Sequence, residues 1–329
     1  MRPDVSIVIP TYNRRPMVQQ AIESCFEGND GIDVEVVVVD DGSTDGTREY
    51  LESIDDDCVH SLFQEHQGAQ VARNAGQQAA QGRAIKHLDD DDYLLPGKLS
   101  EEFRRLENTG AEVCFAHFYK WDVVADERWL FENSGPDNPE ADFYTALLSK
   151  SIDRLQLGIL LDRQAIADLS WDESLPYLQD VNFMVRAAGR GLSCTGLDAP
   201  VAMHRIHEGD RISDVRGAAE TSRLITMKCG WYDQAFQDLN EVNEVRPSHK
   251  RATAAALWRE AHKLAPYDWD EAHRWFQRAL DLCSEFRPKR SNKVFSVLDG
   301  LASPLTTERV MSPVRRYHLY AAEPMTLSD

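Results

Sequence analysis

The chain has 329 residues, 42% hydrophobic and 9% aromatic, and a formal net charge of −19. That length holds one large or two modest domains with a sizeable core. The acidity excludes a general nucleic-acid binder, which needs a basic footprint. Six cysteines stand far apart with no CxxC pair, which excludes a zinc knuckle and a disulfide framework. No run of about 18 apolar residues is present, and the apolar run at residues 5–9 is too short for a signal peptide. The expectation is a cytoplasmic protein with reduced thiols.

Residues 5–9 form a β-branched run closed by Pro10, which reads as a buried strand. A helix follows, with Pro16 in its first turn and Met17, Val18, Ala21, Ile22 and Cys25 on one face. Residues 34–39 are almost wholly apolar, as a parallel strand covered on both faces should be. They lead into Asp40-Asp41-Gly42-Ser43-Thr44-Asp45, where Ser43 or Asp45 can cap the next helix. Residues 59–63 make a weaker strand, and Gly68 opens a helix carrying Arg73 and Asn74. Residues 84–88 are the fourth strand. It delivers Asp89-Asp90-Asp91-Asp92, with Pro96 opening the helix that follows.

Four adjacent carboxylates repel one another. Without other signals they read as a solvated acidic turn; at a strand end they can hold a divalent cation. Residues 113–119 form an aromatic-rich strand, residues 126–142 read as a loop broken by Gly135-Pro136, and residues 157–161 are a strand. Trp171-Asp172-Glu173 and Gln179-Asp180 precede a helix with Phe183 and Met184, and residues 201–207 follow Asp198-Ala199-Pro200. This alternation predicts an open, mostly parallel sheet, which binds ligands at the carboxyl ends of its strands. No GxGxxG is present, so a dinucleotide is not the expected ligand.

From about residue 221 the sequence becomes helix-rich. Trp231-Tyr232-Asp233-Gln234-Ala235-Phe236 and Asp268-Trp269-Asp270-Glu271-Ala272-His273 look alike at a spacing of 37 residues. Tetratricopeptide-like units and generic amphipathic helices fit this pattern equally. Residues 286–329 carry seven Lys/Arg against four acids, a local reversal of the overall charge. That tail leaves peripheral membrane contact open, and the helices could serve an oligomer.

In this order the motifs resemble glycosyltransferase family 2, of GT-A fold. They are Pro10-Thr11-Tyr12-Asn13, Asp40-Asp41-Gly42-Ser43, Gly68 through Gly76, Leu88 through Asp92 with Pro96, Trp171-Asp172-Glu173 with Gln179-Asp180 and Arg186, and Arg205-Ile206-His207 with Ser213. The resemblance covers about residues 5–213. It implies a catalytic domain at residues 1–215, followed by a helical region at residues 216–329. The implied activity is inverting transfer of a sugar from a nucleotide-sugar donor, a UDP-sugar, to a hydroxyl of a glycan or glycoconjugate acceptor in surface polysaccharide synthesis.

The resemblance places Mn2+ or Mg2+ on Asp91, with His207 as a further ligand and His204 as a weaker candidate. It places the donor on Pro10, Thr11, Tyr12, Asp41, Arg73, Asp89, Asp90 and Asp92. Tyr12 would stack on the base, and Asp41 would accept a uracil imide N–H. Asp180 matches the base of the displacement, and Arg186 would ion-pair in the site or with substrate phosphate. Gln179 stands where the family has Glu. That change removes a like charge beside the base and favours its ionised form. It is also the feature that supports an alternative, a non-catalytic nucleotide-sugar-binding or scaffold protein. A nucleotidyltransferase would want a glycine-rich phosphate loop; Arg14-Arg15 is present but the glycines are not.

Overall fold

The computed structural model describes residues 2–29, 31–133, 142–150, 156–207, 217–242, 245–288 and 304–309. Ser213, the breaker at Gly135-Pro136 and most of the basic tail lie outside these residues. The chain divides into two compact units. One comprises residues 1–143, 151–187 and 192–209, and the other residues 144–150, 188–191 and 210–329.

The first unit is built on one sheet. Its strands are β1 (Val5–Thr11), β2 (Val34–Asp40), β3 (Val59–Phe63), β4 (Ala84–His87), β5 (Tyr93–Leu94), β6 (Val113–Asp122), β7 (Glu127–Phe131), β8 (Ile159–Asp162) and β9 (Cys194–Ile206). Their order is β3-β2-β1-β4-β8-β6-β9-β5, with β7 on β6. The first four are parallel to one another, and β6 and β9 are parallel as well. β8 is antiparallel to both β4 and β6 and joins these two parallel sets. The carboxyl ends of β4, β6 and β9 therefore face the same way.

The helices of this unit are α1 (Arg15–Phe26), α2 (Thr47–Glu52), α3 (Ala69–Ala79), α4 (Lys98–Thr109) and α6 (Gln179–Ala188). A short helix between α4 and α6 in sequence, α5 (Phe143–Leu148), straddles the division between the units. Side chains alternate across a strand, and the two sheet faces are filled differently. Val5, Ile7, Ile9, Val36 and Val38 pack with Val18, Ala21 and Ile22 of α1 and with Leu99, Phe103 and Leu106 of α4. Val37 and Val39 on the other face pack with Ala72 of α3.

Gly76 of α3 explains that close approach. A Cβ there would lie 2.5 Å from Val8 Cγ1 and 3.2 Å from Val39 Cγ2. In an exposed helix Gly→Ala stabilises by roughly 1 kcal/mol. Here overpacking reverses the sign, and Gly76→Ala is expected to cost about 1–3 kcal/mol. A melting temperature at or above wild type would contradict that packing.

The stretch expected to be a loop at residues 126–142 contains β7, and this is a correction. β7 pairs with the far half of β6 from Phe118↔Phe131 to Asp122↔Glu127. The Phe118 and Phe131 rings stack at 5.0 Å. Cross-strand aromatic pairs of this kind stabilise a hairpin, and Trp129-Leu130-Phe131 has the composition of a strand. β9 has 13 residues. It runs through Pro200 because the register with β6 shifts between Ala116 and Phe118, a bulge that spares the missing N–H.

The second unit holds α7 (Ala218–Val242), α8 (Pro247–Leu264) and α9 (Trp269–Leu282). α8 packs against both α7 and α9, with Trp258 and Phe276 at 4.6 Å. Arg278 of α9 pairs with Asp233 of α7 at 2.7 Å. Asp268 caps α9 by accepting from Glu271 N, whereas Trp231 through Phe236 lie in mid-helix. The two look-alike segments thus occupy unlike helical positions. Among the described residues no helix is long and apolar enough to cross a membrane.

Candidate active site

The chain leaves β4 and crosses to β5 on the far edge of β9, and Asp89 through Asp92 lie on that crossing. Each carboxylate meets cations or strong donors. Asp89 Oδ1 accepts from Arg73 Nη2 at 2.6 Å and from Gln156 Nε2 at 2.8 Å. Asp90 is buried and accepts from Thr11 Oγ1 at 2.8 Å and Arg14 Nη1 at 2.9 Å. Asp91 Oδ2 meets Arg14 Nη1 at 2.7 Å and His207 Nε2 at 3.0 Å. Asp92 is buried, with His204 Nδ1 at 3.1 Å and the Arg205 amide donating at 2.9 Å. Arg205 also donates from Nε to the Asp91 carbonyl.

These partners set the protonation of the cluster. Burial pushes Asp90 up to about 6 against the pull of Arg14. Burial likewise pushes Asp92 up to about 6 against His204. For Asp91, burial acts upward, but Arg14 and His207 outweigh it and hold the carboxylate below its usual range. Burial alone would lower the His204 pKa, yet Asp92 raises it above its usual value.

Asp89, Asp91 and Asp92 each bring one carboxylate oxygen to within 4.8 Å of the others. Hard divalent cations take such oxygens, so this donor set fits one. His207, expected from the resemblance as a further metal ligand, places Nε2 3.0 Å from Asp91 Oδ2. His204, the weaker candidate, binds Asp92 and is as much part of the cluster.

The ends of β1 and β2 are clasped together. Asn13, with φ +53°, accepts from Thr44 N at 2.7 Å and donates its own N–H to Ser43 Oγ at 2.8 Å. Asn tolerates that left-handed conformation. Asp40 Oδ1 accepts from Ser43 N at 3.1 Å and holds the turn. Asp41 is buried and saturated. Its Oδ1 accepts from Gln64 Nε2 at 2.7 Å and Gln67 N at 2.8 Å, and its Oδ2 meets Gly68 N and His66 Nδ1 at 2.9 Å each. A carboxylate offers about four such sites, so a base imide would have to displace one of these donors. Tyr12 is 41% exposed and stacks on His66 at 4.1 Å. Pro10 is buried within β1 beside Val39.

Asp180 stands in the first turn of α6 and is half-buried. The segment before it is fixed by α3. Gln70, Arg73, Asn74 and Gln77 recur at one-face helical spacing, and all four reach this segment. Gln70 donates to the Leu175 carbonyl, and Arg73 Nη1 to Gln179 Oε1 at 3.1 Å. Asn74 exchanges bonds with the Trp171 backbone at 2.7 and 3.0 Å, and Gln77 donates to the Leu169 carbonyl at 2.6 Å. The Arg73 guanidinium also lies over the Trp171 ring at 4.6 Å. Arg73 thus ties Asp89 to Gln179, the neighbour of Asp180.

Gln179 has its own rationale. Its Nε2 donates to the Leu175 carbonyl at 3.3 Å while Oε1 accepts from Arg73, and an ionised Glu could only accept. Leu178, just before it, has φ +59°, strain that the surrounding clasp must hold. Arg186 Nη1 donates to the Ser170 carbonyl at 2.8 Å. Arg14, Gln156 and His66 were missed by sequence reasoning.

A family model described as glycosyl transferase family 2 matches residues 6–186. The chain belongs to glycosyl transferase family 2. Among its relatives in this family, TuaG of Bacillus subtilis (strain 168), named as a teichuronic acid biosynthesis glycosyltransferase, is 27% identical over 241 residues, covering 70% of this chain and 93% of that protein. The Escherichia coli glucosyltransferase WfaP, named for transfer from UDP-Glc to alpha-D-GlcNAc-diphosphoundecaprenol, is 25% identical over 62% of this chain and 78% of its own. Staphylococcus aureus TarS 1–349 in complex with UDP-GlcNAc superposes with a TM-score of 0.60 at 16% identity, covering 96% of this chain and 92% of that one. The mannosyltransferase PcManGT of Pyrobaculum calidifontis, in complex with GDP-Man and Mn2+, gives 0.51 at 19% identity, with 98% and 89% covered. These structures establish the GT-A fold of the family 2 unit.

Proposed function

We propose that this family 2 protein is an inverting glycosyltransferase that moves a hexosyl or N-acetylhexosaminyl group from a UDP-sugar to a hydroxyl of a glycan or glycoconjugate acceptor, in surface polysaccharide synthesis. The observation that carries the reading is the Arg73 bridge. It joins the Asp89–Asp92 turn to the helix start bearing Asp180, so a donor-side anion cluster and a candidate base share one support. The UDP-Glc and UDP-GlcNAc in the names of WfaP and the TarS complex favour a UDP donor.

In this reading Tyr12 leaves His66 to stack on the base, and Pro10, Thr11 and Asp41 shape the nucleotide pocket. Asp89 and Asp91, with His207 beside them, hold Mn2+ or Mg2+, which supplies Lewis-acid neutralisation of the departing diphosphate. Asp90 and Asp92 position the turn through Thr11, Arg14 and His204, and Arg73 faces the diphosphate. Asp180 accepts the proton of the acceptor hydroxyl as its oxygen bonds to the anomeric carbon from the face opposite the leaving group. The bond from the anomeric carbon to the diphosphate oxygen breaks in the same step, with its electron pair leaving on the diphosphate.

The test is a calorimetric titration of UDP, GDP, CDP and dTDP, with and without Mn2+, into wild type and Asp91→Ala. UDP is expected to bind most tightly and to need Mn2+. Asp91→Ala should lose at least the roughly 10–100-fold that removal of even a supporting residue costs a metal site. Equal binding with and without Mn2+ would overturn the metal assignment, and preference for GDP would overturn the UDP assignment.

A further inference from the structure

β6 pairs with β9, whose His204 and Arg205 reach the aspartate turn, and over residues 118–122 with β7 as well. Lys120 lies directly opposite Trp129 on β7 and opposite His204 on β9, and residues opposite one another share a face. His204 bonds Asp92, so this is the face toward the cluster. Lys120 Nζ rests over the Phe131 ring at 4.5 Å and the Phe118 ring at 5.8 Å. Among the described residues it has no carboxylate within ion-pair distance. A cation without an acid partner is notable in a chain of net charge −19 beside four aspartates. Trp129 is 43% exposed. The next carboxylates on this face are Asp122 and Glu127, which lie opposite one another, and Asp122 is engaged by the Val124 and Ala125 amides at the hairpin tip. Tyr12 and Asp41 directly follow β1 and β2, which lie on the far side of β4 from this shelf.

We propose that Lys120 and Trp129 form an acceptor subsite for a glycan carrying an anionic group. The exposed indole stacks on the apolar face of a sugar ring, and Lys120 pairs with the phosphate or carboxylate of that ring or its neighbour. Aromatic planes give apolar area at low entropic cost. An ammonium held over rings, rather than by an acid, keeps its charge for an incoming anion. The inference rests on the glycosyltransferase reading above for the identity of the occupant as acceptor.

The probes are glucose, glucuronate and glucose 6-phosphate, titrated into the full chain and followed by the tryptophan indole NMR signals, with Trp129→Phe identifying the Trp129 signal. At least one anionic probe is expected to bind about tenfold more tightly than glucose, as a charged hydrogen bond would give, and to move the Trp129 signal. Preference for glucose 6-phosphate alone assigns a phosphorylated acceptor, and preference for glucuronate alone a uronate. Lys120→Met keeps the stem on Phe118 and Phe131 and should reduce the anionic probes to the affinity of glucose. Trp129→Ala should weaken all three. Equal affinity of the three probes for wild type, or an unchanged preference in Lys120→Met, overturns the proposal. UDP titrated into the same variant separates the two readings. A loss of UDP affinity on Lys120→Met would make Lys120 a donor contact and overturn the subsite. Failure of wild type to bind any nucleotide, with the anionic preference intact, would instead sink the donor reading.

Discussion

Asp180→Asn is expected to lower sugar transfer by about 10²–10⁴-fold, the usual contribution of a general base, while leaving nucleotide affinity within a few-fold of wild type. Asn has the shape of Asp but cannot take the acceptor proton. Asp180 is carried by α6 and its approach segment, which α3 anchors through Gln70, Arg73, Asn74 and Gln77, so the substitution leaves that anchoring intact. The measurement pairs steady-state UDP release in the presence of acceptor with UDP titration of the same preparation. Transfer at the wild-type rate would remove Asp180 from the mechanism. A wild type that binds UDP but transfers to no acceptor would favour a non-catalytic binding role. Gln179→Glu is a companion test. It would set a carboxylate against the Leu175 carbonyl that the present amide donates to, and a loss of stability is the expected result.

Lys86→Met should be the most damaging single change to the first unit. Lys86 on β4 and Glu102 on α4 are both fully buried, and Nζ lies 3.0 and 2.8 Å from the two carboxylate oxygens. Removing one partner strands a buried charge, at a cost of about 3–5 kcal/mol. For a unit of this size that lowers the melting temperature by about 2–4 °C per kcal/mol. Lys86→Met with Glu102→Leu should recover most of the loss, because a well-packed apolar pair can replace a buried ion pair.

The pH dependence has a definite sign. Burial pushes the Glu102 pKa up while Lys86 opposes it. In Lys86→Met that opposition is gone, so the folded carboxyl ionises at higher pH than the unfolded one. The deficit should be small below the unfolded value of roughly 4.5 and grow as pH rises above it. Thermal melts at pH 4.5 and 8 would show this, and a deficit independent of pH would mean that lost packing, not charge, is the cause.

What the sequence made legible follows its strongest local signals. The largely apolar runs of β1 and β2 read as strands covered on both faces, and the polar motifs after β1, β2 and β4 marked the candidate site. His207 was singled out by motif order. Arg14 and Gln156 were not, because their roles depend on where the 88–92 crossing passes, and no local pattern encodes that. The β6–β7 hairpin was read as loop because the Gly135-Pro136 breaker beyond it dominated the window, although Trp129-Leu130-Phe131 carried a strand signal. The saturation of Asp41 was also hidden, since its donors come from the β3–α3 connection rather than from its own turn.

The clasp between α3 and residues 169–179 has a consequence for chimeras within this family. Four side chains of one helix meet carbonyls and an amide of a segment about 100 residues away in the chain. A crossover placed between them, for example near residue 120, would match Gln70, Arg73, Asn74 and Gln77 to a foreign partner and leave polar groups unpaired at the support of Asp180. Crossovers before residue 64 or after residue 188 keep both halves from one parent. Acceptor-side exchanges should therefore carry α3 with them, although its sequence lies among the strands of the nucleotide half.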